Sequence, residues 1–352
     1  MTRNTPGPSR AAPWRAGLHR ANLRRAVRAV SRPEPWKRGP VLTVPALLLG
    51  LLLLLHAGVP DTGGLGSLVE NVLPWLGLFV PVLLAGALWR RSAAAVAALV
   101  LPVTVWLSLF GGLLHDKSRP GGDLTLVAHN VGADNPDPAA TARALAASGA
   151  DVLALEELTP RATARYEKGL AQAYPHHVVR GTVGLWSRRP LSGTRMIDIM
   201  DFGPLAATKT DAERLPANRA LRTTVATDHG PLTVYVAHLG SVRLMPGKGF
   251  WTDSRDIGAR ALGKALAADT SERVVLLGDL NGTLDDRAFA SITARLRSVR
   301  EVAGDGFGFT WPASFPLVRI DQILVRGVRP DRSWELPATG SDHLPVAARV
   351  SW

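Results

Sequence analysis

The sequence predicts an α/β domain, its sheets packed face to face with helices outside, carried behind three membrane-spanning helices. Two observations lead there. Three apolar runs crowd the first third of the chain, Val41 to Val59, Val72 to Trp89 and Ala93 to Leu114. From Leu124 onward, strand-like and helix-like segments alternate without an internal repeat. At 352 residues the chain has room for one large domain and a smaller one.

Each apolar run approaches the ~20 residues that cross ~30 Å of hydrocarbon. A buried hairpin of soluble helices would keep a polar face at helical spacing, and "ALLLGLLLLLHAGV" has none. A cleaved signal peptide is the other reading of the first run. Against it, a long Arg-rich segment precedes the run and no small-residue cleavage site leads into soluble chain. Orientation follows from the basic residues. Residues 1 to 39 carry ten of them against one acid, Glu34; the loop from Pro60 to Asn71 carries none, and the second connection holds Arg90 and Arg91. The positive-inside rule then places the N-terminus in the cytoplasm and everything after His115 outside. The absence of cysteine agrees with an extracytoplasmic domain that needs no disulfides.

The net charge of +12 raises the question of nucleic acid. Residues 1 to 114 hold twelve basic and three acidic residues, leaving 29 basic against 26 acidic for the rest. The basicity therefore belongs to the tail, a disordered segment suited to anionic lipid head groups. An outer domain of net +3 has little with which to grip a DNA backbone, which argues against nucleic acid as the partner.

The expected organisation is a basic cytoplasmic tail (1–39), three spans (40–114), a linker (115–122) and a catalytic domain (123–352). Within that domain "LTLVAH" reads as a strand, Asp137 caps a helix through Ser148 that Gly149 ends, and "DVLALE" is the next strand. Thr159 caps a helix from Pro160 to about Ala173. The strands "HHVVR", "VGLWS", "ALRTTVAT" and "LTVYVAH" follow, then a helix near Ser254 to Ala267 and the strand "RVVLLG". A helix near Leu284 to Leu296 and strands at Val318 to Arg326 and Pro345 to Val350 complete the series.

Polar residues cluster where these runs end. Asn130 follows the first strand and Glu156 and Glu157 the second; His238 follows "LTVYVA"; Asp279 and Asn281 follow "RVVLLG"; Asp321 opens "DQILV"; Asp342 and His343 precede the last strand. Taken singly, each is what a cap or a turn would use. Together they supply the oxygen ligands of a hard cation and the donors that a phosphate needs.

In their order and spacing, "HN", "DVLALEEL", "AHLGS", "GDLNGT", "RIDQILV" and "GSDHLPV" resemble the motifs of the endonuclease/exonuclease/phosphatase superfamily. The resemblance spans Leu124 to Trp352. It implies a four-layer α/β sandwich and a divalent-metal phosphohydrolase site, with Mg²⁺ the expected ion and Mn²⁺ the alternative. It also implies that Glu157 is the principal metal carboxylate, with Asn130 and Asp342 on the metal side. Asp279 would orient or deprotonate the attacking water and Asn281 would hold it or the phosphate. His238 would donate to a phosphoryl oxygen, and Asp321 would fix and charge His343. The family usually reads Gln-Glu where this chain has Glu156-Glu157. Glu156 is thus either a second ligand or a solvated or hydrogen-bonded neighbour, and the neighbour is expected.

The superfamily serves nucleases, sphingomyelinases and inositol-phosphate phosphatases, so the fold leaves the substrate open. Eight residues, His115 to Gly122, separate the last span from the first strand. They reach at most about 28 Å, which keeps the site near the outer lipid surface. "LMPGKGFWTDSR", with Met245, Lys248, Phe250 and Trp251, has the composition of an interfacial loop, or of an ordinary surface loop with a partly packed Trp. Three spans before such a domain resemble the VanJ-type glycopeptide-resistance proteins associated with teicoplanin resistance. The implied substrate is a lipid-linked phosphate such as undecaprenyl pyrophosphate. An exported nuclease or phosphodiesterase is one alternative. A non-catalytic lipid- or drug-binding membrane protein is another, but it would require a broken site, and every family position here carries a competent residue.

Overall fold

The structure, a computed structural model, describes residues 40–200 and 210–352. The basic tail, expected to be disordered, lies outside the described residues.

Among the described residues fourteen strands run in chain order: β1 (Leu124–Asn130), β2 (Val152–Glu156), β3 (His176–Arg180), β4 (Val183–Ser187), β5 (Leu191–Met196), β6 (Ala220–Thr227), β7 (Gly230–Ala237), β8 (Arg243–Met245), β9 (Gly249–Trp251), β10 (Val274–Asp279), β11 (Arg297–Ser298), β12 (Asp321–Arg326), β13 (Arg329–Glu335) and β14 (Val346–Ser351). Two six-stranded mixed sheets result, ordered β13-β14-β1-β2-β4-β3 and β11-β12-β10-β7-β6-β5. In each, one parallel pair, β1 with β2 or β7 with β10, lies among antiparallel neighbours. Side chains that alternate along these strands build the central core between the sheets. Leu126, Ala128 and Ala154 of one sheet lie in it with Val234, Val236, Leu277 and Ile323 of the other. The opposite phase packs under helices, with Leu153 and Leu155 against Tyr166 and Leu170 on one side and Leu276 against Leu262 and Leu266 on the other. Two sheets flanked by helices form the expected four-layer sandwich.

Capping follows local chemistry. Asp137 accepts from Ala140 N at the start of helix Pro138–Ala147, and Thr159 from Ala162 N at the start of helix Pro160–Leu170. The helix expected from Leu284 to Leu296 is instead a 3₁₀ turn, Arg287–Phe289, and a short helix, Ala290–Thr293. Asp286 breaks it, because its side chain caps Ala288 N and is held by groups remote in sequence. The strand expected from Val318 begins at Asp321. Strand β13 has no counterpart among the expected elements: its polar, proline-containing sequence fits an edge, where β14 is its one strand neighbour, paired across a register shift between Pro330 and Arg332.

Among the described residues three helical segments are long and apolar enough to cross a membrane: Pro40–Gly58, Thr62–Trp89 and Ala93–Leu113. The second starts about ten residues before the expected Val72, because the helix Leu65–Val72 carries Ser67, Glu70 and Asn71, which local hydropathy scores as loop. These three polar residues are buried, and their partners lie on the two-sheet domain. Glu70 pairs with Arg287 at 2.8 Å. Asn71 Nδ2 donates to Asp286 Oδ2 at 2.8 Å, and Ser67 Oγ donates to the same oxygen. Trp75 Nε1 donates to Leu317 O at 2.7 Å. The segment 115–122 lies along the domain too, with Lys117 N donating to Gly304 O and Arg119 N to Asp331 O. The "LMPGKGFW" segment is the β8–β9 hairpin, whose Phe250 backbone abuts Gly64 at the foot of the second helix.

Candidate active site

The core-facing phase of five strands, continued by one step, generates the site. Asn130 lies two residues beyond Ala128, Glu156 beyond Ala154, His238 beyond Val236 and Asp279 beyond Leu277, while Asp321 lies two before Ile323. The apolar layer between the sheets thus ends in a polar mouth, where the strands pass from core to loop.

Asn130 is the central bridge. Its Nδ2 donates to Glu157 Oε1 at 3.1 Å and to Asp279 Oδ2 at 3.0 Å, and its Oδ1 accepts from Gly132 N at 3.1 Å. Glu157 Oε2 also accepts from Ala133 N, while the rest of this side chain reaches solvent. Asp279 Oδ1 accepts from Asn281 N at 2.8 Å, and Asn281 Nδ2 donates to Leu239 O and to Asp279 Oδ2. Glu157 and Asn281 hold φ values of +59° and +52°, a region non-glycine residues seldom occupy. Such strain gathers where geometry is set for function.

His343 and Asp321 meet as expected. The ring Nδ1 donates to both carboxylate oxygens at 3.0 and 3.1 Å, and Nε2 faces Asp279 Oδ2 at 3.9 Å. Burial opposes charge on His343, but the Asp321 carboxylate, with Asp279 behind it, wins and lifts its pKa to about 10. Burial, and then the charge of Asp321, raise Asp279 to about 7; His343 and the amides of Asn130 and Asn281 hold it back. The loop is pinned from behind, since Ser341 Oγ donates to Asn130 O and accepts from His343 N.

His238 Nε2 lies 3.5 Å from Glu157 Oε1 and 3.6 Å from Asp279 Oδ2. Burial, followed by the charges of Arg219 and His343, keeps the ring neutral. Arg219 Nη2 stands 2.6 Å from the ring nitrogens. A guanidinium only donates, so the arrangement without a donor clash has Nδ1 accepting from Arg219 and the proton on Nε2, facing the site. Arg219 is absent from the residues that the sequence singles out, although it precedes β6 and its backbone oxygen accepts from His238 N. The only local signal is its place just before β6, where a lone basic residue looks like a surface charge.

Two residues differ from expectation. Asp342 is exposed at the rim, with its Oδ2 accepting from Trp311 Nε1 at 3.1 Å. Glu156 is neither solvated nor hydrogen-bonded as the neighbour reading expects: it is 0% exposed, and neither carboxylate oxygen has a partner among the described residues. Burial, reinforced by Asp321 and Asp279, raises its pKa well above the usual carboxylate range.

The donor set suits a divalent cation. Ligand atoms of Asp279, Asp321 and His343 lie within 4.8 Å of one another, and Glu157 offers a solvent-reachable carboxylate beside Asn130. Since Asp321 fully engages His343, the Glu157 carboxylate and the Asn130 amide oxygen are the better hard ligands, with Asp279 beside them.

A mouth of this make-up in a two-sheet sandwich marks a phosphoester hydrolase fold. The chain belongs to the Endonuclease/Exonuclease/phosphatase family, which it matches from residue 127 to residue 343; members are phosphoester hydrolases, generally dependent on divalent metals. Among solved structures it resembles the endonuclease/exonuclease/phosphatase from Bacteroides vulgatus, with 16% identity over 66% of this chain and 99% of that one, at a TM-score of 0.53. Humanized TDP2 of D. rerio carrying 14 mutations is similar at 21% identity, over 65% and 99%, with a TM-score of 0.51. A functionally unknown conserved protein from Enterococcus faecalis gives 15%, 65%, 99% and 0.51. At such identities the likeness is one of fold. No curated protein sequence matches the chain.

Proposed function

We propose that this chain is a membrane-anchored, divalent-metal-dependent phosphohydrolase that works on the extracytoplasmic side on a lipid-linked phosphate such as undecaprenyl pyrophosphate. The observation that carries the reading is the buried contact between the hairpin of spans and the loop of Asp279 and Asn281. Asn71 Oδ1 accepts from Thr283 N, and Glu70 pairs with Arg287. This contact supports a site near the ends of the spans, where a lipid head group would lie and a soluble substrate would have no special access. The basic tail and the Arg90–Arg91 turn support an outward-facing domain. The resemblance to VanJ-type proteins supports a role in glycopeptide (teicoplanin) resistance.

The ion, Mg²⁺ or Mn²⁺, would be held by Glu157 with Asn130 and the acids around them, and would supply charge neutralisation at the phosphate. The chain's own groups do the rest. Asp279 takes the proton of the attacking water, whose oxygen bonds to the terminal phosphorus as the bridging P–O bond breaks and the lipid monophosphate leaves. Asn281 orients that water or a phosphoryl oxygen. His343, charged through Asp321, and His238 through its Nε2 proton, face the developing negative charge.

The test is phosphate release by detergent-purified protein from undecaprenyl pyrophosphate, beside DNA and a soluble phosphodiester. Release that is lost with EDTA and in Glu157→Ala, Asp279→Asn and His343→Ala, all three still folded, is the expected result. Cleavage of DNA alone would leave the family in place and overturn the substrate.

A further inference from the structure

The second and third spans and the catalytic domain enclose an apolar groove of about 410 Å³, lined by Trp75, Leu78, Val103, Leu107, Phe307 and Phe309 among others. That volume falls within the range of small-molecule sites. Phe307 and Phe309 come from the catalytic domain. They stack on each other at 5.2 Å, and Phe309 stacks on Trp75 at 5.3 Å. The polar tips of the lining are already used, since Trp75 Nε1 donates to Leu317 O and Trp106 Nε1 to Pro74 O. What remains for a ligand is carbon.

The far wall of the groove leads to the chemistry. Thr310, next to Phe309, has its Oγ1 accepting from the backbone N of Asp321 and its carbonyl accepting from Leu344 N, beside His343. Trp311, one residue further, donates to Asp342. Phe309 and Trp311 are thus about 7 Å apart along the chain. One binds the groove and the other borders the site. Phe307 and Phe309 also line a smaller cavity of about 50 Å³ that reaches Thr283, Asp285 and Arg319, so polar groups stand on that side of the two rings.

We propose that this groove holds the hydrocarbon chain of the substrate, an isoprenoid or acyl chain whose phosphate is processed at Asp279 and His343; the inference rests on the lipid-phosphate reading above. A bulk lipid chain can lie anywhere on the spans. This groove is roofed by residues continuous with the strands of Asp321 and His343. An amphiphile with its tail between Trp75 and Phe309 would have its head group presented at the mouth, and longer tails would bury more carbon.

The test is kcat/KM of the full chain in mixed micelles of fixed surface concentration, over isoprenyl pyrophosphates of increasing length. It is run for wild type, Val103→Trp and Leu107→Trp, with a water-soluble phosphodiester as control. Wild type should gain with chain length. Each variant should lose at least about tenfold on the longest substrate, because buried methylenes are displaced, and match wild type on the soluble one. Wild-type turnover indifferent to chain length, or variants equal to wild type on long substrates, would overturn the groove assignment and leave the lipid-phosphate reading standing. A wild type that cleaves only the soluble substrate would overturn both. Should a variant lose the soluble activity as well, wild type is labelled with an isoprenyl phosphate bearing a photoreactive tail. Label on the segments 75–78 and 103–107 supports the groove, and label spread evenly over the three spans overturns it.

Discussion

Asn71 and Thr283 stand 212 positions apart in the chain, yet the side-chain oxygen of Asn71 accepts the backbone N–H of Thr283 at 2.9 Å in a buried setting. Thr283 is two residues from Asn281, so a residue of the second apolar helix supports the loop that holds the Asp279 carboxylate. Asn71→Ala leaves that N–H buried without a partner, which costs about 1 to 3 kcal/mol. We expect a lower Tm in detergent and a fall in kcat larger than any rise in KM. A normal kcat at reduced Tm would show that the contact is structural only.

Asp321 sets two titrations. Its charge raises both His343 and Asp279. In the proposed mechanism the active form has Asp279 deprotonated and His343 protonated, so activity should climb through about 7 and fall through about 10. Removing the charge in Asp321→Asn lowers both pKa values. The acid and the alkaline limb should then both move to lower pH, with the greater effect on the alkaline limb. A pH–rate profile of the variant checks this, and an unmoved alkaline limb would remove His343 from the mechanism.

Glu156→Gln separates the two readings of that residue. Its folded pKa is raised, so the protonated form contributes stability at low pH that is lost as pH rises beyond the ordinary carboxylate range. A neutral amide escapes that loss. In EDTA the variant should melt above wild type at pH 8, and the difference should shrink toward pH 4. If Glu156 were a metal ligand, the variant would instead need far more Mg²⁺ for activity.

Gly64→Ala tests the fit between the hairpin of spans and the domain. Gly64 has φ +71°, and a Cβ there would stand 1.8 Å from Phe250 O. Both features forbid a side chain, so a destabilisation of at least about 1 kcal/mol is expected in a thermal melt. An unchanged Tm would mean that the β8–β9 hairpin is free to move from its place.

Strand ends carried most of the legible information. Ala128, Ala154, Val236 and Leu277 belong to apolar runs that announce buried strands, and the next residue of the same phase, Asn130, Glu156, His238 or Asp279, is where the run turns polar. An apolar run and the polar residue that ends it are local features, so the order of residues along the chain is enough to reveal them. Arg219 escapes because one basic residue before a strand looks like a surface charge, and only the fold lays it against His238. Strand β13 escapes because an edge strand tolerates polar residues and proline, which leaves little pattern to detect.

Hydropathy, alternation and capping act over a few residues. The three apolar helices, the two-sheet domain, the order of the strand-end motifs and the chemistry of their residue types are therefore written into the chain as local pattern. Folding adds that Ser67, Glu70 and Asn71 belong to the catalytic domain's support, that Glu156 is sealed without a partner among the described residues, that His343 is charged and His238 neutral, and that Phe307 and Phe309 roof a groove against the spans. Each of those depends on burial and on partners remote in sequence, and the energy of a buried polar group is set by what closes over it.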